Sequence, residues 1–184
     1  MKYLKLYESF SDICWLYGIK NYTINSDGSV DVYGNVNLYE KKLWNIPLQF
    51  NKVNGWFNCA NNKLTSLKGS PKEVYDKFDC NHNELTSLQY APKIIRGKFD
   101  CCSNKIKTFE YFPSYVEDFS CNGNPIYEVW KLFWDWKKIE LLNDFDIFRD
   151  EDTDKPAIVM DRLNDFLLEI GKDPVEKVYL YKNI

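Results

Sequence analysis

Three residues near the middle of the chain have side chains that bind metal ions in many proteins. Asp79, Cys80 and His82 lie within four positions of one another in the segment FDCNHNELTSL. A zinc site would need further Cys or His ligands converging on the same point. His82 is the only histidine in the 184 residues, and the sequence contains no Cys-x-x-Cys pair. The segments around these residues therefore decide how they are interpreted.

The same segment belongs to an internal repeat with a period of about 21 residues. Four of its positions recur together along the chain: Phe57, Phe78, Phe99 and Phe119; Cys59, Cys80, Cys101 and Cys121; Asn62, Asn83, Asn104 and Asn124; Leu64, Leu85, Ile106 and Ile126. The unit reads F-x-C-x-x-N-x-L-T-S-L-x-x-x-P-x-x-V. About five copies cover residues 35–130.

This repeat accounts for Cys80 without a metal. Phe and Cys alternate, so both point to the interior of a short strand, where a small apolar residue is needed. Asn turns the chain and satisfies backbone groups that the turn leaves unpaired. His82 has no counterpart, because Asn61 and Ser103 take its place in neighbouring repeats. We therefore predict that the chain has neither a metal site nor a cofactor.

A period of 20–29 residues with the pattern L-x-L-x-x-N-x-L is typical of leucine-rich repeats. We predict the α/β class: a leucine-rich-repeat solenoid with a short parallel β-sheet on the concave face. Stacking of repeats would bury apolar faces that each repeat alone leaves exposed. The predicted units are an N-terminal cap of helix and hairpin at 1–34, repeats at 35–125, and a helical C-terminal cap at 126–184.

Local patterns predict the elements of the two caps. An amphipathic helix is expected at 3–17, followed by a hairpin at 22–32 around Asp27 and Gly28. In the C-terminal cap, apolar spacing predicts a helix at 126–145 and another at 156–170, the latter with Asp154 as its N-cap. A last strand is expected at 177–181.

The repeat phrase FNCANNKLTSLKGSPKEV (57–74) resembles bacterial-type leucine-rich repeats, including those of ubiquitin-ligase effectors secreted by enteric pathogens. It is more similar to short leucine-rich-repeat proteins of tailed bacteriophages, as are the start MKYLKLYESF, the segment at 27–32 and the segment at 123–126. That resemblance implies the fold and a phage origin, and no established activity. The ligase activity does not carry over, because no cysteine follows Cys121.

Outward residues of the repeat strands form the candidate binding surface. They differ between repeats while the inward residues stay the same. Trp56 and Tyr39 are expected to anchor a partner, since aromatic residues dominate binding hot spots. Cys102 is expected to be the one readily reactive thiol. The predicted concave-face residues are Asn37, Tyr39, Trp56, Asn58, Lys77, Asp79, Asn81, Lys98, Asp100, Cys102, Asp118, Ser120 and Asn122.

Charge and composition limit the classes of partner. The net charge of −3 and the pI of about 5.3 give no basic field of the kind that binds nucleic acid. No apolar run is long enough to cross a bilayer, and the N-terminus lacks a signal peptide. Six cysteines without an export signal indicate reduced thiols and a cytoplasmic protein. The oligomeric state stays open.

These observations favour a non-enzymatic protein-binding module that binds a host or bacterial-defence protein. The most specific form of this hypothesis is that binding inhibits that protein. The alternative is a virion or head-associated component, since Leu-Tyr-Glu at 6–8 resembles the leaders that prohead proteases cleave. An enzyme is not expected, because the lone His82 has no partnered nucleophile and no phosphate-binding loop is present.

Overall fold

The computed structural model describes residues 9–149 and 156–184. The described part begins with helix α1 (Phe10–Leu16), whose first turn is capped by Ser9: its side chain accepts a hydrogen bond from the Asp12 N–H. Strands β1 (Tyr22–Ile24) and β2 (Val30–Val32) follow as an antiparallel pair. The predicted hairpin is confirmed, and α1 ends at Leu16, one residue before the predicted end. The leader-like residues 6–8 and the start of the predicted helix lie outside the described residues.

Eight short strands follow in the repeat region, and the first seven of them alternate between two sheets. In chain order they are β3 (Val36–Asn37), β4 (Phe50–Val53), β5 (Phe57–Asn58), β6 (Glu73–Val74), β7 (Phe78–Asp79), β8 (Ile94–Ile95), β9 (Lys98–Asp100) and β10 (Asp118–Ser120). Sheet 1 has the order β1-β2-β4-β6-β8, and sheet 2 has the order β3-β5-β7-β9-β10. Neighbouring repeats pair in parallel and in register, as Phe57 with Phe78 and Val53 with Val74.

The predicted fold class is wrong. We expected a leucine-rich-repeat solenoid with one sheet on a concave face and helices at its C-terminal end. The structure is instead a mixed α/β arrangement with three small sheets and few helices. The apolar positions after the prolines, such as Val74 and Ile95, form a second sheet of strands that the sequence did not predict. Two-residue strands leave too little alternation in the sequence to be recognised.

The inward residues of both sheets form one continuous core. Phe57, Phe78 and Phe99 are fully buried, and their ring centroids are 5.5 and 5.8 Å apart between neighbouring repeats. Cys59, Cys80, Cys101 and Cys121 are also fully buried in the next inward row. The predicted inward positions of Phe and Cys are confirmed, and burial of such apolar surface is the main stabilising contribution.

The repeated asparagines join neighbouring repeats through buried hydrogen bonds. Asn83 Oδ1 accepts from the Leu64 N–H at 3.0 Å, and Asn83 Nδ2 donates to the carbonyls of Cys59 and Cys80 at 3.0 and 3.1 Å. Asn104 repeats the arrangement one repeat further on. Each asparagine therefore satisfies an N–H and a carbonyl of the preceding repeat as well as a carbonyl of its own.

The C-terminal region contains short helices and a third sheet. Its elements are α2 (Tyr127–Trp130), a 3₁₀ turn (Trp136–Lys138), α3 (Ile139–Asp144), β11 (Phe148–Arg149), β12 (Ala157–Ile158), α4 (Met160–Glu169) and β13 (Lys182–Asn183). Sheet 3 has the order β11-β12-β13. Trp130 packs on Phe119 at 5.0 Å between ring centroids, so α2 covers the end of the core.

Three expectations for this region are wrong. The helix expected at 126–145 is broken at Trp134, which has the left-handed φ of 51° and cannot continue a helix. The helix expected from 156 begins at Met160, because Ala157–Ile158 pairs as a strand. The strand lies at Lys182–Asn183 rather than 177–181. Asp154 lies outside the described residues. None of the described helices has the length and apolar character needed to span a bilayer.

Candidate functional site

The outward side of sheet 2, which we call the sheet 2 face, brings the predicted binding residues together in three rows. In-register pairing places equivalent positions of successive repeats side by side, as for Asn58, Asp79 and Asp100. The central row is Asn37, Asn58, Asp79, Asp100 and Ser120; one flanking row contains Trp56, Lys77, Lys98 and Asp118; the other contains Tyr39, Asn81, Cys102 and Asn122.

Most of the central row has a structural role that the sequence did not reveal. Oδ1 of Asn37, Asn58, Asp79 and Asp100 accepts a hydrogen bond from the backbone N–H two residues further on, at 2.9–3.2 Å. Each of these side chains thereby fixes the turn that ends its strand. Short Asn and Asp side chains at this position are explained by the turn, whether or not the surface binds anything.

Two lysines lie over the carboxylates of the central row. Lys77 Nζ is 2.6 Å from Asp79 Oδ2 and 3.9 Å from Asp100 Oδ2, and Lys98 Nζ is 3.7 Å from Asp100 Oδ2. The Asp79 side chain is 8% exposed and that of Lys77 is 40% exposed. Burial lowers the pKa of Lys77, but the hydrogen bond that its ammonium donates to Asp79 and the charges of Asp79 and Asp100 together outweigh burial, so the pKa is raised. The face therefore presents ammonium groups whose charge is largely balanced by aspartates beneath them.

A shallow depression lies beside Trp56 on this face. It has a volume of about 360 Å³ and is lined by Trp56, Asn58, Asp76, Lys77 and Asp79, together with Phe57 beneath. An aromatic wall next to a paired ammonium and carboxylate suits a side chain that is partly apolar and carries a polar tip. This is the place on the face where a partner's side chain could be partly enclosed.

The ends of the face are more exposed than its middle. Asn37 and Tyr39 at the β3 end are exposed, as are Asp118 and Asn122 at the β10 end. Tyr39 is held at its hydroxyl by Asn61 Nδ2, at 3.4 Å. In the middle, Asn81 and Lys98 are half-buried and Asp79 is buried. The aromatic residues predicted as anchors therefore both lie in the β3–β5 half of the face.

The three residues that suggested a metal site point in different directions. Cys80 is fully buried among the inward residues, Asp79 lies on the sheet 2 face, and His82 is exposed in the turn with a φ of 50°. His82 Nδ1 lies 3.1 Å from Asn81 Oδ1. Within residues 9–149 and 156–184, no group of three His, Cys, Asp or Glu side chains is arranged to hold a metal ion.

Cys102 is less accessible than the sequence suggested. It is half-buried on the sheet 2 face, next to Asp100. Partial burial raises the pKa of its thiol to about 11, helped by the hydrogen bond and negative charge of Asp100. The thiolate is the reactive form, so this environment lowers reactivity near neutral pH.

Alkylation of Cys102 at pH 8 is expected to be about tenfold or more slower than that of an unperturbed cysteine. The rate should keep rising with pH up to pH 10, because the pKa lies above that range. Asp100→Asn keeps the backbone cap but removes the charge, so it should lower the pKa and speed the reaction. Iodoacetamide labelling followed by peptide mass spectrometry measures these rates. A rate that levels off near pH 9 in the wild-type protein would contradict the raised pKa.

Comparisons with known proteins add no relative from which a function could be transferred. No family model, curated protein or solved structure matches this chain.

Proposed function

We propose that this chain is a non-enzymatic, cytoplasmic protein-binding module that contacts its partner through the sheet 2 face. The phage-like repeat phrase makes a host or bacterial-defence protein the expected partner, with inhibition as the consequence of binding. This origin and this partner rest on the resemblance of the sequence. The place of binding rests on the geometry of the face.

The observation that carries the proposal is the depression beside Trp56 on the regular surface of parallel strands. Aromatic side chains at a partly enclosed position are the commonest hot spots of protein interfaces. The asparagine hydrogen bonds and backbone caps hold the face in one conformation, so little conformational entropy is lost on binding.

The size of the face is compatible with a protein partner. Five parallel strands at about 4.8 Å spacing give a width of roughly 20 Å. Together with the turns on either side, this supplies an area on the order of the 800 Å² per partner found in standard interfaces. The balanced Lys77, Lys98, Asp79 and Asp100 charges would add specificity more than affinity.

A capture experiment with paired variants tests this proposal. Tagged wild-type protein, Trp56→Ala and Tyr75→Ala are incubated with lysate of a bacterial host, and bound proteins are identified by mass spectrometry. Tyr75 is the matched control, because it is an exposed aromatic residue that follows β6 in sheet 1. We expect one protein to be retained by the wild type and Tyr75→Ala and lost by Trp56→Ala.

The affinity of that protein, once purified, should fall at least about tenfold for Trp56→Ala, the effect expected of a hot-spot aromatic residue. The Tyr75→Ala protein should bind like the wild type. Equal binding by all three proteins, or retention of no partner by any of them, would contradict the proposed role of the sheet 2 face.

A further inference from the structure

A second surface of the repeat region differs from the sheet 2 face in its charge. It consists of the segments 40–48, 61–69, 82–90 and 103–111, each of which connects a strand of sheet 2 to the next strand or bridge of sheet 1. We call it the turn side. Its segments contain six lysines and three glutamates, whereas the whole chain has a net charge of −3. Positive charge is therefore concentrated on the turn side of an acidic protein.

The lysines are aligned by the stacking of the repeats. The N–H groups of Lys63, Glu84 and Lys105 donate to the carbonyls of Leu43, Leu64 and Leu85 in the preceding repeats, at 2.7–2.8 Å. All three side chains are exposed, and Lys105 Nζ lies 3.3 Å from Glu84 Oε2. Because Glu84 pairs with Lys105, Lys63 is available to a ligand, and so is exposed Lys42 in the preceding repeat.

An exposed tryptophan lies at the first repeat of the turn side. Trp44 is 61% exposed, which is unusual for so large an apolar side chain. Lys63 Nζ lies over its ring, 5.0 Å from the centroid. An aromatic ring combined with a lysine offers a partner both an apolar contact and a positive charge.

Lysines also lie next to an exposed aromatic ring, that of Tyr179, near the last repeat. Tyr127 follows Ile126, whose N–H donates to the Ile106 carbonyl and so continues the stack. One turn further along, Lys131 Nζ is 5.9 Å from the ring centroid of Tyr179, and Lys177 Nζ is 5.0 Å from the same ring. Tyr179 is 62% exposed.

The C-terminal segment that carries Tyr179 is attached to the turn side. The Tyr181 hydroxyl donates to the Lys107 carbonyl at 2.6 Å, and Tyr181 is buried. Trp44 and Tyr179 therefore mark the two ends of one surface, with lysines between them. From the first repeat to the fifth, four steps of about 4.8 Å give a length of roughly 19 Å, which an extended segment of about six residues spans.

We propose that the turn side binds an acidic polypeptide segment in extended conformation, with Trp44 and Tyr179 as its aromatic contacts. Carboxylates of the segment would pair with Lys42 and Lys63, and with Lys105 in competition with Glu84. This surface is distinct from the sheet 2 face, so the inference goes beyond the proposed function and does not depend on it.

The same geometry favours a polypeptide over single-stranded nucleic acid. Sequence-tolerant binding of single strands depends on bases stacked on aromatic rings. Here Lys63 lies over Trp44, and Lys131 and Lys177 lie over Tyr179, so a stacking base would compete with an ammonium group for a face of each ring. A carboxylate can bind Lys63 and Lys177 where they lie, whereas Lys131 is already paired with Glu128 at 2.7 Å.

Fluorescence anisotropy with defined probes tests the inference. The probes are a fluorescein-labelled octaglutamate and an octathymidylate with the same label, titrated with the full chain in 25 mM NaCl. We expect octaglutamate to bind more tightly than octathymidylate, and its binding to weaken as salt is raised. Tighter binding of the oligonucleotide, or no binding of octaglutamate, would overturn the proposal.

Two matched double variants distinguish the effect of the turn-side lysines on binding from the effect of net charge. Lys63→Glu with Lys105→Glu changes two exposed lysines of the turn side, and Lys72→Glu with Lys93→Glu makes the same charge change beside sheet 1. The first should raise the Kd for octaglutamate at least tenfold, and the second less than threefold. An equal rise in both would overturn the proposal.

Two single variants test the aromatic contact of the turn side and show whether the sheet 2 face contributes to octaglutamate binding. Trp44→Ala should raise the Kd at least threefold, and it is informative even if the first double variant does not fold. Trp56→Ala on the sheet 2 face should leave octaglutamate binding unchanged. An unchanged Kd for Trp44→Ala would overturn the aromatic contact, and a raised Kd for Trp56→Ala would overturn the assignment to the turn side.

Discussion

Replacing Leu85 with Asp is expected to unfold the protein at neutral pH. Leu85 is fully buried between neighbouring repeats. A carboxylate there would have no cation to pair with, and burying an unpaired charge costs several kcal/mol. Because the whole stability of a domain is only about 5–15 kcal/mol, one such change removes most of it. Thermal unfolding followed by circular dichroism measures the loss.

The matched control for this variant is Thr86→Asp, which introduces the same carboxylate at the adjacent, exposed position. Its melting temperature should stay within a few degrees of the wild type, as is usual for surface substitutions. Burial raises the pKa of a carboxyl in the folded state, so folded Leu85→Asp binds a proton that the unfolded chain releases. Its stability should therefore fall as pH rises from 4 to 8. Equal melting of both variants would show that Leu85 does not point inward.

Asn83→Ala is expected to lower the free energy of unfolding by about 3 kcal/mol or more. The change leaves the Leu64 N–H unpaired and removes one of the two asparagine donors to each of the Cys59 and Cys80 carbonyls. A buried polar group left unpaired costs about 1–3 kcal/mol, and each hydrogen bond lost from the carbonyls costs about 0.5–1.5 kcal/mol. Asn83→Asp should be at least as harmful, since it keeps an acceptor for the N–H but directs an oxygen at two carbonyl oxygens. Urea unfolding gives the difference.

The control for the asparagine variants is Asn122→Ala, because the Asn122 side chain is exposed at the end of the sheet 2 face. A loss of less than about 0.5 kcal/mol is expected there, as for other surface positions. If Asn83→Ala and Asn122→Ala unfold at the same urea concentration, the buried hydrogen bonds do not hold the repeats together as described.

The repeat made the interior of the molecule predictable from sequence. Phe78, Cys80 and Asn83 recur at fixed spacing because each must fit between copies of itself in adjacent repeats. Their burial follows from that requirement. The second sheet was not predictable, since Glu73–Val74 and Ile94–Ile95 are too short to show alternation. The strands exist because stacking brings equivalent backbones together, which is a tertiary effect.

The C-terminal region shows the opposite case, in which a clear local pattern is misleading. The apolar spacing at 126–145 is typical of a helix, but Trp134 has a left-handed φ. Glycine and asparagine are the residues that usually take this conformation, so a tryptophan gives no sign of it in the sequence. Phe133 thereby packs on Phe166 of α4, at 5.4 Å between ring centroids. Packing against a distant helix outweighs local helix preference here.

The sequence predicted which residues lie on the sheet 2 face, but it did not predict the contacts among them. Alternation along the strands gave the outward residues of the sheet 2 face. The sequence did not show that Asp79 and Asp100 cap their own turns while pairing with Lys77 and Lys98, because these contacts depend on register between repeats. Cys102 was expected to be readily reactive, but partial burial and the nearby Asp100 raise the pKa of its thiol and so lower its reactivity.

Site-specific photo-cross-linking tests the central claim most directly. A benzoylphenylalanine is placed at Trp56 or Tyr39 on the sheet 2 face, and at Tyr75 beside sheet 1, and each protein is irradiated in host cells. All three replaced residues are aromatic, so the substitutions are closely matched. We expect a single host protein to be cross-linked from positions 56 and 39 and not from position 75. Cross-linking from position 75 alone, or from none of the three, would contradict it.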